Sequence, residues 1–308
     1  MRTAYLGTDE FAATVLAVLA GSDHRPALVV TPPPSRAGRG RRPKPLPTAE
    51  RARELGISLI EAPEVNSEEV ERALAEVSPD VVCLCSFGQL IGERLLDSFR
   101  FLNVHPSLVP RWRGAAPIER AIMEGDGETG VAVMELVADL DAGPVAQDMT
   151  RRVPIGPDDD YGSLSSKLAA EGGDALVASL DSLSAGLLEM EPQASSGVTY
   201  AEKVTAEERC LDPRLPAEVL ERRVRALNPH VGTYIALPDE GRLGVSKARA
   251  SEGGPDSGRI VASGGRLLLG CSPGALELVE VKPPGGRAMS VDDYLRGHEP
   301  PTAAVARD

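Results

Sequence analysis

The first hundred residues alternate short apolar segments with segments of helical periodicity, and no other feature limits the fold so strongly. Strands separated by helices in this way predict a parallel sheet covered on both faces, a doubly wound α/β domain of Rossmann-like type. The run "PDVVCLCSFG" (79–88) is apolar almost throughout, as expected of a strand buried on both sides. No Gly-x-Gly-x-x-Gly follows the first strand, which disfavours a dinucleotide site. The remaining segments predict a strand, turn and helix over 3–21, strands within 25–33, 57–65 and 100–108, helices within 48–56 and 66–78, and two helices within 158–186.

Beyond about residue 208 the pattern changes to short β-type segments at regular spacing, punctuated by Gly and Pro. This pattern predicts a small β-barrel or sandwich, preceded by a helix over 216–227. Of the two, we expect an OB-like β-barrel. The sequence therefore predicts an α/β domain over 1–187, a polar and turn-rich linker over 188–207, and a β-domain over 208–308.

The chain has a formal net charge of −13, which argues against a general nucleic-acid binder because phosphate contacts need Lys and Arg. One stretch departs from this balance. "SRAGRGRRPKP" (35–45) contains five basic residues and no acidic one. A solvated, flexible loop and a basic finger for a polyanion both fit this composition, and the residues alone leave the two open.

The sequence lacks both a long apolar run and cysteines at the spacing of a zinc site. No apolar run is long enough to cross a bilayer, and the N-terminus lacks the pattern of a signal peptide. We therefore expect a soluble cytoplasmic protein. We also expect a monomer with no stable protein partner. The four cysteines lack zinc-type spacing. We expect Cys83 and Cys85, which share one face of a strand, to be buried apolar thiols, and we expect no metal site.

Polar residues able to carry out acyl-type transfer follow the last strand of the α/β pattern. Asn103 and His105 share a face of an extended segment, and Asp139 and Asp141 follow in the Gly-bounded loop "VADLDAG". An Asn can hold a developing oxyanion, a His can donate to it, and a carboxylate can orient and charge the His. No Ser or Cys lies in a nucleophile-elbow context, so the nucleophile would be a substrate group, such as an amine. Spacing alone also permits an ordinary hydrogen-bonded His and an ordinary Asp turn.

The stretch "NVHPSLVPRWRGAAPIERAI" (103–122) resembles the signature of the methionyl-tRNA formyltransferases, which usually read N-x-H-x-S-L-L-P-x-x-R-G-A-A-P-I-x-x-A-I. The N-x-H pair followed by a later Asp belongs to the wider family of 10-formyltetrahydrofolate-dependent formyltransferases. The resemblance extends over both predicted domains. The other matching segments are "GTDEFAA" (7–13), "AGRG" (37–40), "ETGVAVMELVADLDAG" (128–143), "YAEKVTAEE" (200–208), "RALNP" (225–229) and "MSVDDYLRGH" (289–298).

The resemblance implies formyl transfer from 10-formyltetrahydrofolate to the α-amine of methionyl-initiator tRNA, a reaction of translation initiation. It implies that 1–187 is the catalytic domain and that 208–308 binds tRNA. Asn103 and His105 would hold and polarise the formyl oxygen, and Asp141 would orient and charge His105 and take part in proton removal. The implied folate contacts are Phe87, Gly88, Gln89, Leu90, Ile91, Ser107, Val137, Ala138, Asp139 and Leu140. The implied tRNA contacts are Arg36, Arg39, Arg41, Arg42 and Lys44.

Some segments depart from the family pattern. Asp139 stands where a Gly is usual, which adds a charge near the site. "CLDPRL" (210–215) and "NPHVGTY" (228–234) differ from the usual sequences, and the linker is acidic where the family is often basic. These departures concern the tRNA contacts rather than the chemistry. Trp112, the single Trp of the chain, is expected to pack at the start of the next helix.

Two alternative functions remain to be weighed. Another folate-dependent formyltransferase, acting on a glycinamide ribonucleotide or an amino sugar, would share Asn103, His105 and Asp141 but should lack the basic loop and the C-terminal β-domain. A non-catalytic RNA-binding protein could retain both domains, but the intact catalytic set and the net charge of −13 argue against it.

Overall fold

Strands and helices alternate along the first part of the chain, which confirms the predicted α/β class. The computed structural model describes residues 1–34, 44–239 and 241–306. Its helices are α1 (Glu10–Ala20), α2 (Pro47–Glu54), α3 (Glu68–Val77), α4 (Glu93–Ser98), α5 (Pro117–Glu124), α6 (Tyr161–Ser184), α7 (Ala217–Leu227) and α8 (Val291–Gly297), with 3-10 turns at Gln147–Met149 and Glu207–Arg209. Its strands are β1 (Thr3–Gly7), β2 (Pro26–Thr31), β3 (Ser58–Glu61), β4 (Val81–Cys85), β5 (Phe101–His105), β6 (Arg113–Gly114), β7 (Glu128–Glu135), β8 (Arg151–Pro154), β9 (Tyr200–Ala201), β10 (Thr233–Ala236), β11 (Arg242–Ser251), β12 (Ile260–Ser263), β13 (Arg266–Gly270), β14 (Ala275–Lys282) and β15 (Met289–Ser290).

Seven strands form one sheet in the order β3-β2-β1-β4-β5-β7-β8. The first five are parallel to one another, whereas β7 runs antiparallel to β5 and β8 runs antiparallel to β7. The sheet is therefore mixed rather than wholly parallel. An apolar strand has the same residue pattern in either direction, so the sequence of β7 does not encode its orientation. The order of connection reverses between β1 and β4, which is where ligands bind in open α/β sheets.

Both faces of this sheet are covered. On one face, Leu6 and Val30 share an apolar core with Leu74 of α3 and Leu95 of α4. On the other, the Tyr5 hydroxyl donates a 2.7 Å hydrogen bond to the carbonyl of Ala12 in α1. Apolar faces on both sides explain why the central strands contain so few polar residues.

The two strand cysteines are buried, as predicted from their spacing. Cys83 pairs in register with Tyr5 and lies on the same face of the sheet, as does Cys85. Burial raises the pKa of the Cys83 thiol to about 12 and raises that of Cys85 well above its usual value. Both therefore stay protonated at neutral pH and behave as apolar packing groups.

The segment expected to give two helices forms the single helix α6. The pair Gly172–Gly173 lies in its middle, where a sequence pattern favours a break. Both glycines instead allow close packing. A methyl group on Gly172 would lie 2.8 Å from Cγ1 of Val104 in β5, and one on Gly173 would lie 2.7 Å from Cβ of Val18 in α1. Close approach of α6 to β5 and α1 is the reason that the helix tolerates two glycines.

We expect Gly173→Ala to destabilise the protein by about 1 kcal/mol, and by no more than about 2 kcal/mol. Ala in place of Gly gains about 1 kcal/mol of helix propensity, but forcing a methyl group into a filled contact costs about 1–3 kcal/mol. The contact is with Cβ of Val18, which cannot rotate away. Urea unfolding followed by circular dichroism should give a lower midpoint for Gly173→Ala and partial recovery in Gly173→Ala/Val18→Ala, which removes the Val18 methyl carbons at 2.8 and 3.0 Å but keeps its Cβ. A midpoint at or above wild type in the single variant would contradict this packing.

The C-terminal β-domain is present as a six-stranded antiparallel sheet. Its order is β10-β11-β14-β13-β12, with β15 pairing to β14. Its core combines apolar side chains from α7 and α8, such as Leu220 and Tyr294, with inward-facing residues of the strands, such as Val245, Leu267 and Leu278. The single helix of the sequence prediction, 216–227, corresponds to α7.

The chain divides into two compact units that are not contiguous in sequence. The first comprises 1–117, 128–154 and 165–201. The second comprises 118–127, 155–164 and 202–308. The boundaries predicted at 187 and 208 stay a prediction. Within the described ranges, none of the helices has both the length and the apolar composition that crossing a bilayer requires.

Candidate active site

Asn103 and His105 project from the end of β5 on the face that also carries Phe101. The strand pairs with β4 on one side and with β7 on the other, so its backbone is held from both edges. Both side chains are almost wholly buried. Among the described residues, no hydrogen bond to the side-chain amide of Asn103 is seen. The amide N–H groups can therefore donate to a ligand atom.

The ring of His105 is fixed by a backbone carbonyl. Its Nε2 lies 2.8 Å from the carbonyl oxygen of Trp112. A carbonyl oxygen can only accept, so Nε2 must carry the proton. The other ring nitrogen, Nδ1, therefore carries a lone pair in the neutral ring and faces Oδ2 of Asp141 at 3.7 Å. Uptake of a second proton at Nδ1 would give an imidazolium paired with this carboxylate.

Asp141 lies in a turn that returns the chain to β7. Its backbone has φ +48°, in the left-handed region, which Gly, Asn and Asp adopt more readily than other residues. Oδ2 accepts a 2.8 Å hydrogen bond from the backbone N–H of Gly114. One oxygen of the carboxylate thus contacts both His105 and the loop that follows β5, and the sequence-predicted pair is brought together.

The loop 107–114 holds the carbonyl that binds His105. Trp112 is buried and has φ +62°, and the guanidinium of Arg111 lies 4.4 Å from the centre of its ring. The hydroxyl of Ser107 donates to the carbonyl of Arg111 at 2.7 Å. The Trp ring therefore packs as a structural group, and its contribution to the site is the position of its backbone carbonyl.

Residues 191–201 hold this site from outside the expected motifs. The backbone of Glu191 exchanges two hydrogen bonds with Val145. Thr199 accepts from the N–H groups of Trp112 and Arg113, the first at its hydroxyl and the second at its carbonyl. The sequence predicts a polar linker here. Most of the hydrogen bonds of this stretch involve its backbone, and its side chains show no apolar periodicity.

The residues implied in folate binding lie on two segments that share a core. Phe87 is buried beside Phe101, and Ile91 and Leu136 pack against the same cluster. From these segments Leu90, Val137 and Leu140 are exposed by 77%, 42% and 52%. They are three of the six large apolar side chains exposed in the described part of the chain. Exposed apolar groups concentrated beside a polar centre are typical of a ligand site.

Three other implied folate residues serve local structure. The side-chain amide of Gln89 accepts from the Val65 N–H at 2.9 Å and donates to the Pro63 carbonyl at 3.1 Å. Gly88 has φ +78°, which lets the chain turn after Phe87. The Ser107 hydroxyl is used within its own loop. Ala138 and Asp139 are exposed beside Leu140.

The implied tRNA contacts cannot be followed in the structure. Arg36, Arg39, Arg41 and Arg42 lie outside the described residues, and Lys44 is exposed at the beginning of the next described segment. A second basic surface, however, lies in the C-terminal unit. We call it the basic groove: its volume is about 820 Å³, and its charged lining residues are Arg209, Arg242, Lys247, Lys282 and Arg287 with Asp160 and Glu280.

Comparison with known proteins agrees with this arrangement. A family model described as "Formyl transferase" matches residues 1–180, and one described as "Formyl transferase, C-terminal domain" matches residues 203–299. The chain belongs to this formyltransferase family. Membership confirms the resemblance seen in the sequence, including the part that covers the C-terminal segment.

Similar members of the family match over nearly their full length. The methionyl-tRNA formyltransferase of Halorhodospira halophila is 42% identical over 96% of this chain and 96% of its own. That of Methylococcus capsulatus is 41% identical over 97% of each chain. The crystal structure of HypX from Aquifex aeolicus in complex with tetrahydrofolic acid is 16% identical, with a TM-score of 0.66, over 100% of this chain and 51% of its own. This last likeness supports the formyltransferase fold alone.

Proposed function

We propose that this protein transfers the formyl group of 10-formyltetrahydrofolate to the α-amino group of methionyl-initiator tRNA. The product would be N-formylmethionyl-tRNA for translation initiation, and the reaction would take place in the cytoplasm, where that tRNA is used. The observation that carries the chemistry is the fixed His105 ring that faces Asp141 at 3.7 Å on the strand that also carries the buried Asn103. The likeness to methionyl-tRNA formyltransferases over 96% of the chain supports the choice of acceptor.

The folate substrate is proposed to lie against the apolar side chains of Leu90, Val137 and Leu140. Their exposure beside the site fits a flat ring system, and burying them would recover about 25 cal/mol for each Å² of apolar area removed from water. The folate supplies the formyl group and a nitrogen leaving group. The protein supplies the apolar surface that orients it, with the formyl carbon towards β5.

The reaction needs a neutral amine, an oxyanion site and a route for one proton. The amine nitrogen forms a bond to the formyl carbon, and the carbonyl π electrons move to the formyl oxygen. The Asn103 amide and the Nδ1–H of protonated His105 are the donors proposed to hold that oxygen. The bond from carbon to the folate nitrogen then breaks. The proton that the amine loses passes through Asp141 to the leaving nitrogen.

Asp141 stabilises the charged form of His105 in this scheme. Nε2–H of the ring is committed to the Trp112 carbonyl, so only Nδ1 can donate to substrate. Nδ1 carries a hydrogen only when the ring is protonated. The Asp141 carboxylate lies 3.7 Å from Nδ1, within reach of that form for an ion pair. The geometry therefore gives His105 and Asp141 a joint role rather than two separate ones.

The C-terminal unit is proposed to bind the tRNA through the basic groove. Five basic and two acidic side chains line it, a local excess of three positive charges on a chain of net charge −13. Arg242 stacks on Tyr234 with its guanidinium carbon 4.5 Å from the ring centre. Planar guanidinium groups held in this way suit contact with phosphates. The basic loop 35–45 is proposed as the second contact.

We expect Arg242→Ala/Lys282→Ala to raise the KM for methionyl-tRNA about tenfold while leaving kcat unchanged. In this proposal both residues contact the tRNA and neither takes part in the reaction. Loss of two phosphate contacts should lower the slope of log affinity against log salt by about 2. Initial rates over a range of tRNA and salt concentrations measure both. Arg266→Ala/Arg296→Ala removes the same charge from exposed positions outside the groove and should leave KM near wild type. Equal effects of the two pairs would argue against a specific groove.

The function itself is tested by offering competing acceptors. The protein is incubated with 10-formyltetrahydrofolate carrying a ¹⁴C-formyl group, and with methionyl-initiator tRNA, glycinamide ribonucleotide or a nucleotide-linked amino sugar. We expect label on the methionyl α-amine and none on the other two. Label on the ribonucleotide or the sugar instead would assign the protein to a different formyltransferase activity. Binding of tRNA with no transfer to any acceptor would favour a non-catalytic RNA-binding protein.

A further inference from the structure

A single glutamine connects the turn that carries Asp141 to the loop that binds His105. Gln193 Nε2 donates to the carbonyls of Asp141 and Gly143, each at 2.8 Å. Its Oε1 accepts from Nε and Nη2 of Arg113 at 3.0 and 2.7 Å. The side-chain amide therefore uses both of its N–H groups and both lone pairs of its oxygen. A fully satisfied amide of this kind fixes the two segments relative to each other.

The turn that Gln193 holds has an unfavourable backbone conformation. Asp141 lies in the left-handed region at φ +48°, which is less favourable for a residue with a Cβ than for Gly. Such a conformation persists only where the surroundings determine it. Gly143 brings the same turn so close to β7 that a methyl group on it would lie 1.9 Å from the Glu135 carbonyl oxygen. The carbonyls on either side of Ala142 are the two that Gln193 binds.

The position of the Asp141 carboxylate depends on this turn. Oδ2 accepts from Gly114 N–H, and Gly114 directly follows the residue whose guanidinium binds Gln193. A closed ring of contacts thus runs from Asp141 through Gln193 and Arg113 to Gly114 and back to Asp141. Removal of the amide opens this ring at two of its contacts and leaves the carboxylate held by Gly114 alone.

We propose that Gln193 is a positioning residue for formyl transfer, one that keeps the Asp141 carboxylate directed at His105 without contacting either substrate. This inference rests on the proposed function, since it assigns Gln193 a role in that same site. Displacing a catalytic group by about 1 Å costs on the order of 10²-fold in rate. Binding of the folate and of the tRNA uses other surfaces and should change little.

The test is a double-mutant cycle between Gln193→Met and Asp141→Asn. Met has a similar length to Gln but forms no strong hydrogen bonds. We expect Gln193→Met alone to lower kcat by about 10- to 100-fold, with the KM for either substrate within about threefold of wild type. In the Asp141→Asn background the same substitution should change kcat by less than about twofold, because the group that Gln193 positions is already inactive.

A purely structural role for Gln193 would give a different result. Loss of folded protein lowers the rate by the same factor in the wild-type and Asp141→Asn backgrounds. Loss of positioning lowers the rate only in the wild-type background. Gln193→Glu, which keeps the acceptor for Arg113 but opposes two carbonyl oxygens, provides a second variant should Gln193→Met not fold. Gln147→Met, at an exposed position in the same unit, is the matched control and should retain wild-type kcat.

Each result separates the positioning role from the proposed function. Wild-type activity on methionyl-tRNA with an unchanged kcat in Gln193→Met would overturn the positioning role and leave the function intact. Equal losses of kcat in the wild-type and Asp141→Asn backgrounds would also overturn the positioning role. A wild-type protein that formylates no methionyl-tRNA would refute the proposed function and this inference with it. A large loss of kcat in the wild-type background alone supports the positioning role.

Discussion

Replacement of His105 by alanine is expected to lower kcat for formyl transfer by at least about 10³-fold. In the proposed mechanism the substitution removes a charged donor to the developing oxyanion, worth about 10²–10³ in rate, and the partner of the Asp141 carboxylate through which the amine proton passes. The KM for methionyl-tRNA should stay near wild type, because His105 is not among the proposed tRNA contacts. Steady-state rates with both substrates varied measure the two constants separately.

Loss of folding must be separated from loss of chemistry in this variant. His105→Ala leaves the buried Trp112 carbonyl without its donor, which costs about 1–3 kcal/mol of stability. His105→Gln retains an N–H that can reach this carbonyl but cannot take up a proton. It should fold with near wild-type stability and remain inactive. The exposed His298→Ala provides a control of the same residue type. Near-normal turnover in His105→Gln would exclude the charged imidazole from the mechanism.

Asp141→Asn should lower kcat by about 10²- to 10⁴-fold while keeping the shape of the site. The Asn side-chain oxygen can still accept from Gly114 N–H, so the turn stays in place. The negative charge facing Nδ1 of His105 is lost, together with the site that takes the amine proton. The effect should therefore fall on kcat rather than on the KM for folate or tRNA.

The matched control for Asp141→Asn is Asp148→Asn, an exposed carboxylate on the same unit. Asp148→Asn removes the same charge and should leave kcat and the KM values unchanged. A variant of Asp141 with wild-type kcat would show that His105 is charged by another group or acts in its neutral form. Such a result would require a different proton route.

The sequence predicts the α/β class of this fold but not the direction of every strand or the length of every helix. Alternating strands and helices over 3–108 predict the α/β sheet, because burial on both faces requires continuous apolar strands. The antiparallel direction of β7 was not predictable, since its residue pattern is the same in both directions. The helix break expected in 158–186 was wrong, because Gly172 and Gly173 serve close packing rather than chain reversal.

The candidate site was predictable in part. Asn103, His105 and Asp141 follow from residue chemistry combined with family resemblance, and the structure brings His105 and Asp141 within 3.7 Å. Gln193 and Thr199 were missed, because each acts through hydrogen bonds to backbone that carry no periodic or compositional signal. The sequence could not predict the tautomer of His105 either, since the group that fixes it is the backbone carbonyl of Trp112, a residue with positive φ.

The central claim is that formyl transfer to methionyl-tRNA occurs at the His105–Asp141 centre. Single-turnover transfer of a ¹⁴C-formyl group, with enzyme in excess over methionyl-initiator tRNA, measures the chemical step without product release. Wild-type protein should label the methionyl α-amine, and His105→Gln, at matched folded concentration, should do so at least about 10³-fold more slowly. Absence of label with the wild-type protein, or equal rates for the two proteins, would contradict the claim.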